Sequence, residues 1–479
     1  MPPEDPTPPE GDERSLVLQA ALCMVAATAL SLATWQSRGT GSPLAFKWLM
    51  LAVFAGFSAL LASQATLSEQ VRRLPMHGVL LACIGAQFAA LVWSPLDAPL
   101  GEMGSHGIRA MMMMVGVAAV ISGLLITAKS TMSRWAFPLL LVLHFAIGLL
   151  ILQKLPVPGI DVIMFQRGAC KALLEGLNPY AIRFLDPYPP ASSALFYGPG
   201  ISVNGILQIG FPYMPLSFLL DLPAYLLGDI RYASLICTTA AGALIGYATP
   251  SRNAKPAAAM LLFSPIWPLV LFLGWTEPHV ILMLALTWFC HHRYPRLMPV
   301  AFGLLMASKQ YMPLAAPLGL LLLPRPWSIR QTVAFGSKAL FAASAITLPF
   351  VFWNLPEFIN SAVLCQIRQP YRTDALSFLS WAAPTNPAKW LWLPFAEFAL
   401  TILICLACAL RRRISFPLAL SLCLLAFFST NKQAFANYYY LVIGALLCGV
   451  CGLAEGNEVG GVAAPVQHNL DPPVGRAGR

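Results

Sequence analysis

An aspartate opens a short helical pattern at residues 160–180, IDVIMFQRGACKALLEGLNPY. After Asp161, the residues Arg167, Lys171 and Glu175 are spaced four apart from one another, which places these three on one stripe of a helix. Apolar side chains occupy the rest of the helix surface, as in amphipathic helices that lie on a membrane. The pattern predicts a surface helix with a carboxylate at its entrance.

Two roles are open to Asp161. A carboxylate at the start of a helix accepts backbone N–H bonds as an N-cap. The same group just above a bilayer would also serve as a general base that takes the proton of an attacking hydroxyl. The local pattern alone does not choose between these roles.

A base of this kind would need a cation nearby to stabilise a departing phosphate. Lys309 is the leading candidate, because it interrupts the apolar stretch 297–323 and leaves two halves that are each short for a full crossing. The alternative is a lysine that extends to the lipid headgroups without a chemical role.

Further polar residues lie in segments that we expect on the same face as Asp161. Glu277, between two apolar runs, would orient a sugar or Lys309, or merely belong to a loop. For the others the alternatives are substrate contact and a solvated membrane interface with its aromatic belt. The candidates for substrate binding are Lys309, Gln310, Tyr180, Arg183, Glu277, Arg368, Arg372, Lys432 and Tyr438.

The elements that hold these residues are membrane helices. The chain has 479 residues, of which 58% are hydrophobic and only 10% charged, whereas soluble domains carry about 25% charged residues. We expect an all-α, polytopic transmembrane bundle of about 12–14 spans. The apolar runs are 15–36, 46–64, 77–94, 110–128, 136–155, 211–228, 232–249, 257–273, 278–290, 297–323, 333–353, 388–410, 415–429 and 436–453.

Outside the membrane domain 15–454, residues 1–14 and 455–479 are expected to be disordered tails. The longest polar interruption, 158–210, is patterned and aromatic, and we expect it to be a functional extracytoplasmic loop with juxtamembrane helices. A cytoplasmic amino terminus places an excess of basic residues inside. These are Arg72, Arg73, Lys129, Arg134, Arg325, Arg330 and residues 411–413.

In one part of the chain, the number of apolar runs disagrees with this topology. Four apolar runs separate the loop 158–210 from the basic cluster His291-His292-Arg293, where an odd number is needed. Because 257–290 contains Pro265, Pro268 and Pro278, we expect a broken or re-entrant segment there.

The formal charge of +10 is scattered between spans, which argues against nucleic acid and in favour of the bilayer and an anionic lipid-linked partner. The sequence has no Walker loop, no dinucleotide fingerprint and no His/Asp metal spacing, so we predict no cofactor and no metal.

Residues 161–180 resemble the first outer loop of the GT-C superfamily of glycosyltransferases, in its polyprenyl-phospho-sugar-dependent mannosyltransferase branch. Tyr188-Pro189-Pro190, the helix start YMPL at 213–216 and the interruption ASKQYMP at 307–313 are similar to further motifs of that family. The resemblance covers residues 137–450. Five spans precede the aspartate loop here, whereas family members commonly have one.

The resemblance implies an inverting hexosyl transfer, with mannose the first choice of sugar, from a polyprenyl-phosphate donor to a lipid or glycan acceptor. It places the active site on the extracytoplasmic face of a bacterial inner (plasma) membrane. Asp161 would be the base. The alternatives are a transporter or flippase for a lipid-linked or anionic solute, favoured by Lys309 and Asp221 within apolar runs, and a membrane scaffold without catalysis.

Overall fold

The computed structural model of the chain describes residues 10–63, 76–93, 103–127, 133–382, 387–411 and 414–453. The first helix begins at Glu10, inside the expected tail 1–14. The remainder of that tail, the carboxy-terminal tail 455–479 and the basic residues Arg72, Arg73, Lys129, Arg412 and Arg413 lie outside the described residues.

Helices dominate the described residues, and the protein is an all-α polytopic membrane bundle, as predicted. Among the described residues, six helices are long and apolar enough to cross a membrane. Five shorter apolar helices accompany them, so the number of spans itself stays a prediction. The six are Leu16–Gln36, Pro43–Ala62, Gly104–Thr127, Arg134–Lys154, Ile329–Trp353 and Leu393–Arg411.

The α-helices follow one another along the described residues. They are α1 (Glu10–Gln36), α2 (Pro43–Ala62), α3 (Met76–Val92), α4 (Gly104–Thr127), α5 (Ser133–Lys154), α6 (Asp161–Leu174), α7 (Pro190–Phe196), α8 (Pro215–Leu226), α9 (Arg231–Ala248), α10 (Ala254–Leu262), α11 (Trp267–Phe272), α12 (Glu277–Arg293), α13 (Met298–Met306), α14 (Ile329–Trp353), α15 (Leu355–Phe358), α16 (Cys365–Arg368), α17 (Phe378–Ala382), α18 (Leu393–Arg411), α19 (Phe416–Ser429) and α20 (Ala436–Cys451). A 3₁₀ helix spans Met312–Leu322, a π-helical turn Ile359–Leu364 and a second 3₁₀ turn Pro387–Trp390.

Local sequence sets several helix starts. Ser42 caps α2 by accepting the amide of Ala45 at 3.1 Å, and Pro43 occupies the first turn. Ser415 caps α19 in the same way, through the amide of Leu418. A hydroxyl followed by proline satisfies a free amide and presets the helical backbone angle.

Contacts between distant segments define two ends of the bundle. At one end, here named the site end, the guanidinium of Arg231 donates to the carbonyls of Leu155 and Pro156 at 3.4 and 3.2 Å. A Cβ on Gly274 would lie 2.9 Å from Cγ1 of Ile163, so the turn before α12 is also at this end. At the opposite end, Nε of Arg293 donates to the carbonyl of Ala248.

These contacts show how many times the chain passes between the two ends of the bundle from the loop 158–210 to the basic cluster 291–293. Helix α8 begins and ends at the site end, because it packs on α6 through Cys170 and Phe218 and leads within five residues to Arg231. The run 211–228 is therefore not a crossing. Helix α9, the broken pair α10–α11 and α12 make three passes to the basic cluster 291–293. The expected break in 257–290 lies at 263–266. The number of passes is odd because α8 is not one of them.

The stretch 297–323 is a re-entrant hairpin. Phe302 in its first half and Gly319 in its second half both contact Phe335 near the start of α14. Both halves therefore start and finish toward the opposite end, and Lys309 lies at the tip. Pro313 and Pro317 lack the amide donors of a regular α-helix, and the returning half is a 3₁₀ helix.

The loop 158–210 is folded against the site end. It carries α6, α7 and a three-stranded antiparallel sheet, β1 (Phe184–Leu185), β2 (Ser202–Val203) and β3 (Ile206–Leu207), in the order β1-β3-β2. Asn204 and Gly205, both with positive φ, make the two-residue turn between β2 and β3. A separate aromatic core unites this loop with α8 and residues 350–365.

Candidate functional site

Asp161 is the first residue of α6, and Ile160 occupies the N-cap position. The N-cap role is therefore wrong for Asp161. Its Oδ1 accepts the amide of Val162 at 2.8 Å, and a negative charge in the first turn is favoured by the helix dipole. The other carboxylate oxygen points to residues from elsewhere in the loop.

One tyrosine bonds that second oxygen, and another lies near the carboxylate. The hydroxyl of Tyr197 donates to Oδ2 of Asp161 at 3.2 Å, and Tyr188 lies beside it within hydrogen-bonding reach of the same carboxylate. Burial raises the pKa of Asp161, while the bonds from Val162, Tyr188 and Tyr197 oppose that rise. A carboxylate with a raised pKa and oriented lone pairs is suited to accept a proton.

Asp186 organises the segment that carries both tyrosines. Its Oδ2 accepts the hydroxyls of Ser193 and Ser202, each at 2.5 Å, and its Oδ1 accepts the amide of Tyr188 at 2.9 Å. Burial alone would raise the pKa of Asp186, but these hydrogen bonds together lower it. Asp186 therefore remains charged and has a structural role.

Lys309, at the tip of the hairpin, meets the amino terminus of α12. Its Nζ lies 2.7 Å from Oε1 of Glu277 and 2.6 Å from Oγ1 of Thr276. Both charged side chains are buried. The centroid of the Tyr213 ring lies 5.3 Å from Nζ of Lys309. Glu277 thus contacts Lys309, one of the two roles expected of it.

Three cations from two other segments reach the same region. Lys432, between α19 and α20, donates to the carbonyls of Ile367 and Gln369 at 2.8 and 2.7 Å. Arg368 is bound to the side-chain oxygen of Asn360 at 3.3 Å. These partners are neutral, so Lys432 and Arg368 keep their positive charge uncompensated by those contacts.

Arg372 is arranged differently. Its guanidinium forms a bidentate pair with Asp374, at 2.7 and 2.6 Å, and stacks between the rings of Phe196 and Phe435. Phe196 belongs to α7, the helix between the two tyrosines of the Asp161 group. Arg372 therefore joins the loop 158–210 to the segment before α20, and Asp374 balances its charge.

Cys365 marks the meeting point of the acid and the cations. Burial and the negative charge of Asp161 raise the pKa of its thiol to about 12, while the charges of Arg368 and Lys432 act in the other direction. Asp161, Arg368 and Lys432 thus all lie within electrostatic range of one side chain. The fold brings together an acid and two cations that are far apart in sequence.

Three further residues predicted to bind substrate make contacts with other parts of the protein. Tyr180 is fully buried in the aromatic core beside Phe358 and donates to the carbonyl of Tyr213 at 2.9 Å, which gives it a packing role. Arg183 pairs with Glu357 at 2.7 Å on the surface of that core. Gln310 donates to the carbonyl of Pro212.

Tyr438 lies closer to the site. Its ring is 6.4 Å from that of Tyr311, and both phenols are within the field of Glu277. Asp221, which lies within an apolar run, has its carboxylate 3.0 Å from Nε2 of His279. Within the described ranges, no group of three or more His, Cys, Asp or Glu residues is arranged to hold a metal ion.

Tyr188, Tyr213 and Tyr311 lie within the sequence motifs, which assign them no role. Neither Tyr197 nor Thr276 is among the residues predicted from the sequence. The Tyr-Pro-Pro and Thr-Glu-Pro groups were local signals for two of these positions. Nothing in the sequence around Tyr197 indicates a contact with Asp161, 36 residues away.

Comparison with family models, with curated proteins and with solved structures finds no match to this chain. The resemblance of residues 161–180 and 307–313 to GT-C glycosyltransferases therefore stays a hypothesis. Its support is the motifs and the geometry around Asp161.

Proposed function

We propose that this chain is a membrane glycosyltransferase of GT-C type, which moves a hexosyl group from a polyprenyl-phosphate donor to the hydroxyl of a lipid or glycan acceptor. The observation that carries the proposal is a set of contacts that links Asp161 to two cations. Tyr197 bonds Asp161, its neighbour Gly198 packs on the backbone of Arg368, and Lys432 donates to the carbonyl of Ile367 beside Arg368. An acid with a raised pKa beside uncompensated cations suits a reaction in which a proton and a phosphate both leave. Mannose is our first choice of sugar, from the motif resemblance.

The reaction has three coupled changes. The acceptor oxygen forms a bond to the anomeric carbon from the side opposite the phosphate, which inverts that centre. The carboxylate of Asp161 takes the proton of the acceptor hydroxyl. The bond between the anomeric carbon and the phosphate oxygen breaks, and the phosphate leaves with the electron pair.

Lys432 and Arg368 are the side chains we assign to the leaving phosphate. Lysine offers a compact charge and arginine a fork of donors for phosphate oxygens. Lys309 was the first candidate for this role on sequence grounds. We do not assign it there, because Glu277 already balances its charge at 2.7 Å.

The site end is proposed to face the extracytoplasmic side of a bacterial inner membrane. The connections at the opposite end are short and carry basic residues, as in cytoplasmic loops. Arg293, Arg296 and Arg325 are examples. A lipid-linked donor at the site end would keep its tail between the helices and its phosphate at the level of Lys432.

The test is sugar transfer by the purified full chain. Wild-type protein is incubated with a series of radiolabelled polyprenyl-phospho-sugars and a membrane lipid extract. We expect a labelled product with wild type and none with Asp161→Asn, and full activity with Glu175→Gln, whose carboxylate is half-exposed at the other end of α6. Unchanged transfer by Asp161→Asn would rule out its role as the base.

A transporter or flippase for a lipid-linked solute is the second candidate. The re-entrant hairpin 298–322 and the broken helix α10–α11 favour it, since transporters often place interrupted helices around a midplane site. Movement of a fluorescent lipid-linked sugar across liposomes by wild type and Asp161→Asn alike, with no transfer, would establish this candidate in place of the first.

A further inference from the structure

Two buried polar atoms beside Lys309 have no hydrogen-bond partner among the described residues. They are Oε2 of Glu277 and the hydroxyl of Tyr311. The first oxygen of Glu277 is bound to Lys309 at 2.7 Å, and Tyr311 is two residues from Lys309 at the tip of the hairpin. Tyr311 thus belongs to the hairpin tip, and Glu277 to the first turn of α12 that this tip contacts.

Aromatic rings lie near these atoms. The region bounded by Glu277, Lys309, Tyr213, Tyr311 and Tyr438 is here named the recess. Tyr213 lies 5.3 Å from Nζ of Lys309, and the ring of Tyr438 is 6.4 Å from that of Tyr311. The phenols of Tyr213, Tyr311 and Tyr438 all lie within the electrostatic field of the Glu277 carboxylate. Tyr213 and Tyr438 also feel the charge of Asp161, so the recess adjoins the proposed base.

Unsatisfied buried polar atoms are costly, and a ligand group that forms hydrogen bonds with them removes that cost. A carboxylate oxygen only accepts hydrogen bonds, and a phenol both donates and accepts. The complementary ligand therefore carries O–H groups on adjacent atoms, together with an apolar face for the tyrosine rings. A neutral sugar ring has both properties, whereas a sugar carboxylate has no proton to donate to Oε2 of Glu277.

We infer that Glu277 and Tyr311, with the rings of Tyr213 and Tyr438, form a subsite that binds adjacent hydroxyls of a neutral sugar ring. This inference rests on the proposed function, since the ring would be that of the donor. It deepens that function by naming the residues that select the sugar. Lys309 then acts as a positioning residue, which fixes the Glu277 carboxylate so that Oε2 faces the ring.

The first test combines a protein variant with analogues of the donor. It compares the loss of a hydroxyl from the protein with the loss of a hydroxyl from the sugar. Tyr311→Phe removes one hydroxyl at nearly constant volume, and Tyr440→Phe is the matched control, because that buried phenol donates to Leu261 away from the recess. The donors are a short-chain polyprenyl-phospho-hexose, its single-deoxy analogues and the corresponding uronic acid.

We expect Tyr311→Phe to lower kcat/KM for the parent sugar about tenfold and to leave it unchanged for one deoxy analogue, since that analogue already lacks the bond. Tyr440→Phe should not change the kcat/KM of one donor relative to that of another. Equal losses for every analogue, or no loss, would overturn the subsite while leaving the proposed transferase intact.

The second test measures equilibrium binding of the same labelled donors to the inactive Asp161→Asn protein. The neutral donor should bind at least about tenfold more tightly than the uronic one. Adding Glu277→Gln together with Lys309→Met, which removes both charges of the pair, should abolish that preference. Loss of the preference would support the subsite even if wild type transfers no sugar, and equal binding of both donors would overturn it.

Discussion

Nζ of Lys309 lies 2.7 Å from Oε1 of Glu277, in a contact between the tip of a re-entrant hairpin and the first turn of α12. Neither side chain is exposed to solvent to any extent that would hydrate its charge. A buried pair of this kind holds two segments in register, because either charge alone would be costly. It also leaves the positive charge needed by a leaving phosphate to other residues.

The pair should be far more sensitive to single than to double substitution. Glu277→Gln or Lys309→Met leaves one buried charge unpaired and should destabilise the fold by about 3–5 kcal/mol. The double variant should recover most of that loss. Thermal unfolding of the purified full chain, followed by the loss of helical signal, measures the difference. Equal losses in the single and double variants would contradict the pairing.

Transfer should depend on pH through Asp161. The base must be deprotonated, so kcat/KM should rise with pH, with a midpoint above the ordinary value for an aspartate because burial raises its pKa. Tyr197→Phe removes a bond that favours the charged form, so the midpoint should move to still higher pH. A pH profile of transfer measures both, and a midpoint unmoved by Tyr197→Phe would argue against the contact.

The same group links pH to stability. Since the pKa of Asp161 is higher in the folded than in the unfolded chain, protonation favours folding. The contribution of this residue to stability should therefore decrease as pH rises through that interval. The difference in Tm between wild type and Asp161→Asn, taken across the pH range, is the readout. A constant difference would mean that the pKa of Asp161 is the same in the folded and unfolded chain.

Lys432 should be important for its charge. Lys432→Met is expected to lower kcat about 100-fold, as in the loss of one donor to a developing anion. Burial lowers the pKa of Lys432, so activity should decline at alkaline pH, and Lys432→Arg should move that decline upward. The exposed Lys338 on α14 supplies the control, since Lys338→Met should retain wild-type transfer.

Gly198 should tolerate no side chain. A Cβ there would lie 2.1 Å from the carbonyl oxygen of Arg368, so Gly198→Ala would separate the tyrosine-bearing segment from the cations. Transfer should fall severalfold or more, and Tm should also fall, because one of the two backbone segments has to move. Gly159→Ala is the matched control, because a Cβ at that position meets nothing within 4 Å. Equal transfer by both variants would show that this close approach is dispensable.

The membrane architecture follows from the sequence alone. A lipid-facing helix has to be apolar along its whole length, so composition and run length reveal it without knowledge of its neighbours. The surface helix at Asp161 is equally local, because its four-residue spacing and its first-turn carboxylate lie within one segment. Even the turn at Asn204-Gly205 follows from the positive φ values that these residue types accept.

The remaining features depend on contacts between distant parts of the chain. Local apolar content does not distinguish α8, which returns to the site end, from a crossing, since only the packing of Phe218 on Cys170 shows its place. Lys309 was expected to bind phosphate because its charge is visible in sequence, but the charge that balances it comes from Glu277, 32 residues away. Electrostatic roles depend on which charges become neighbours, and that is decided by tertiary packing.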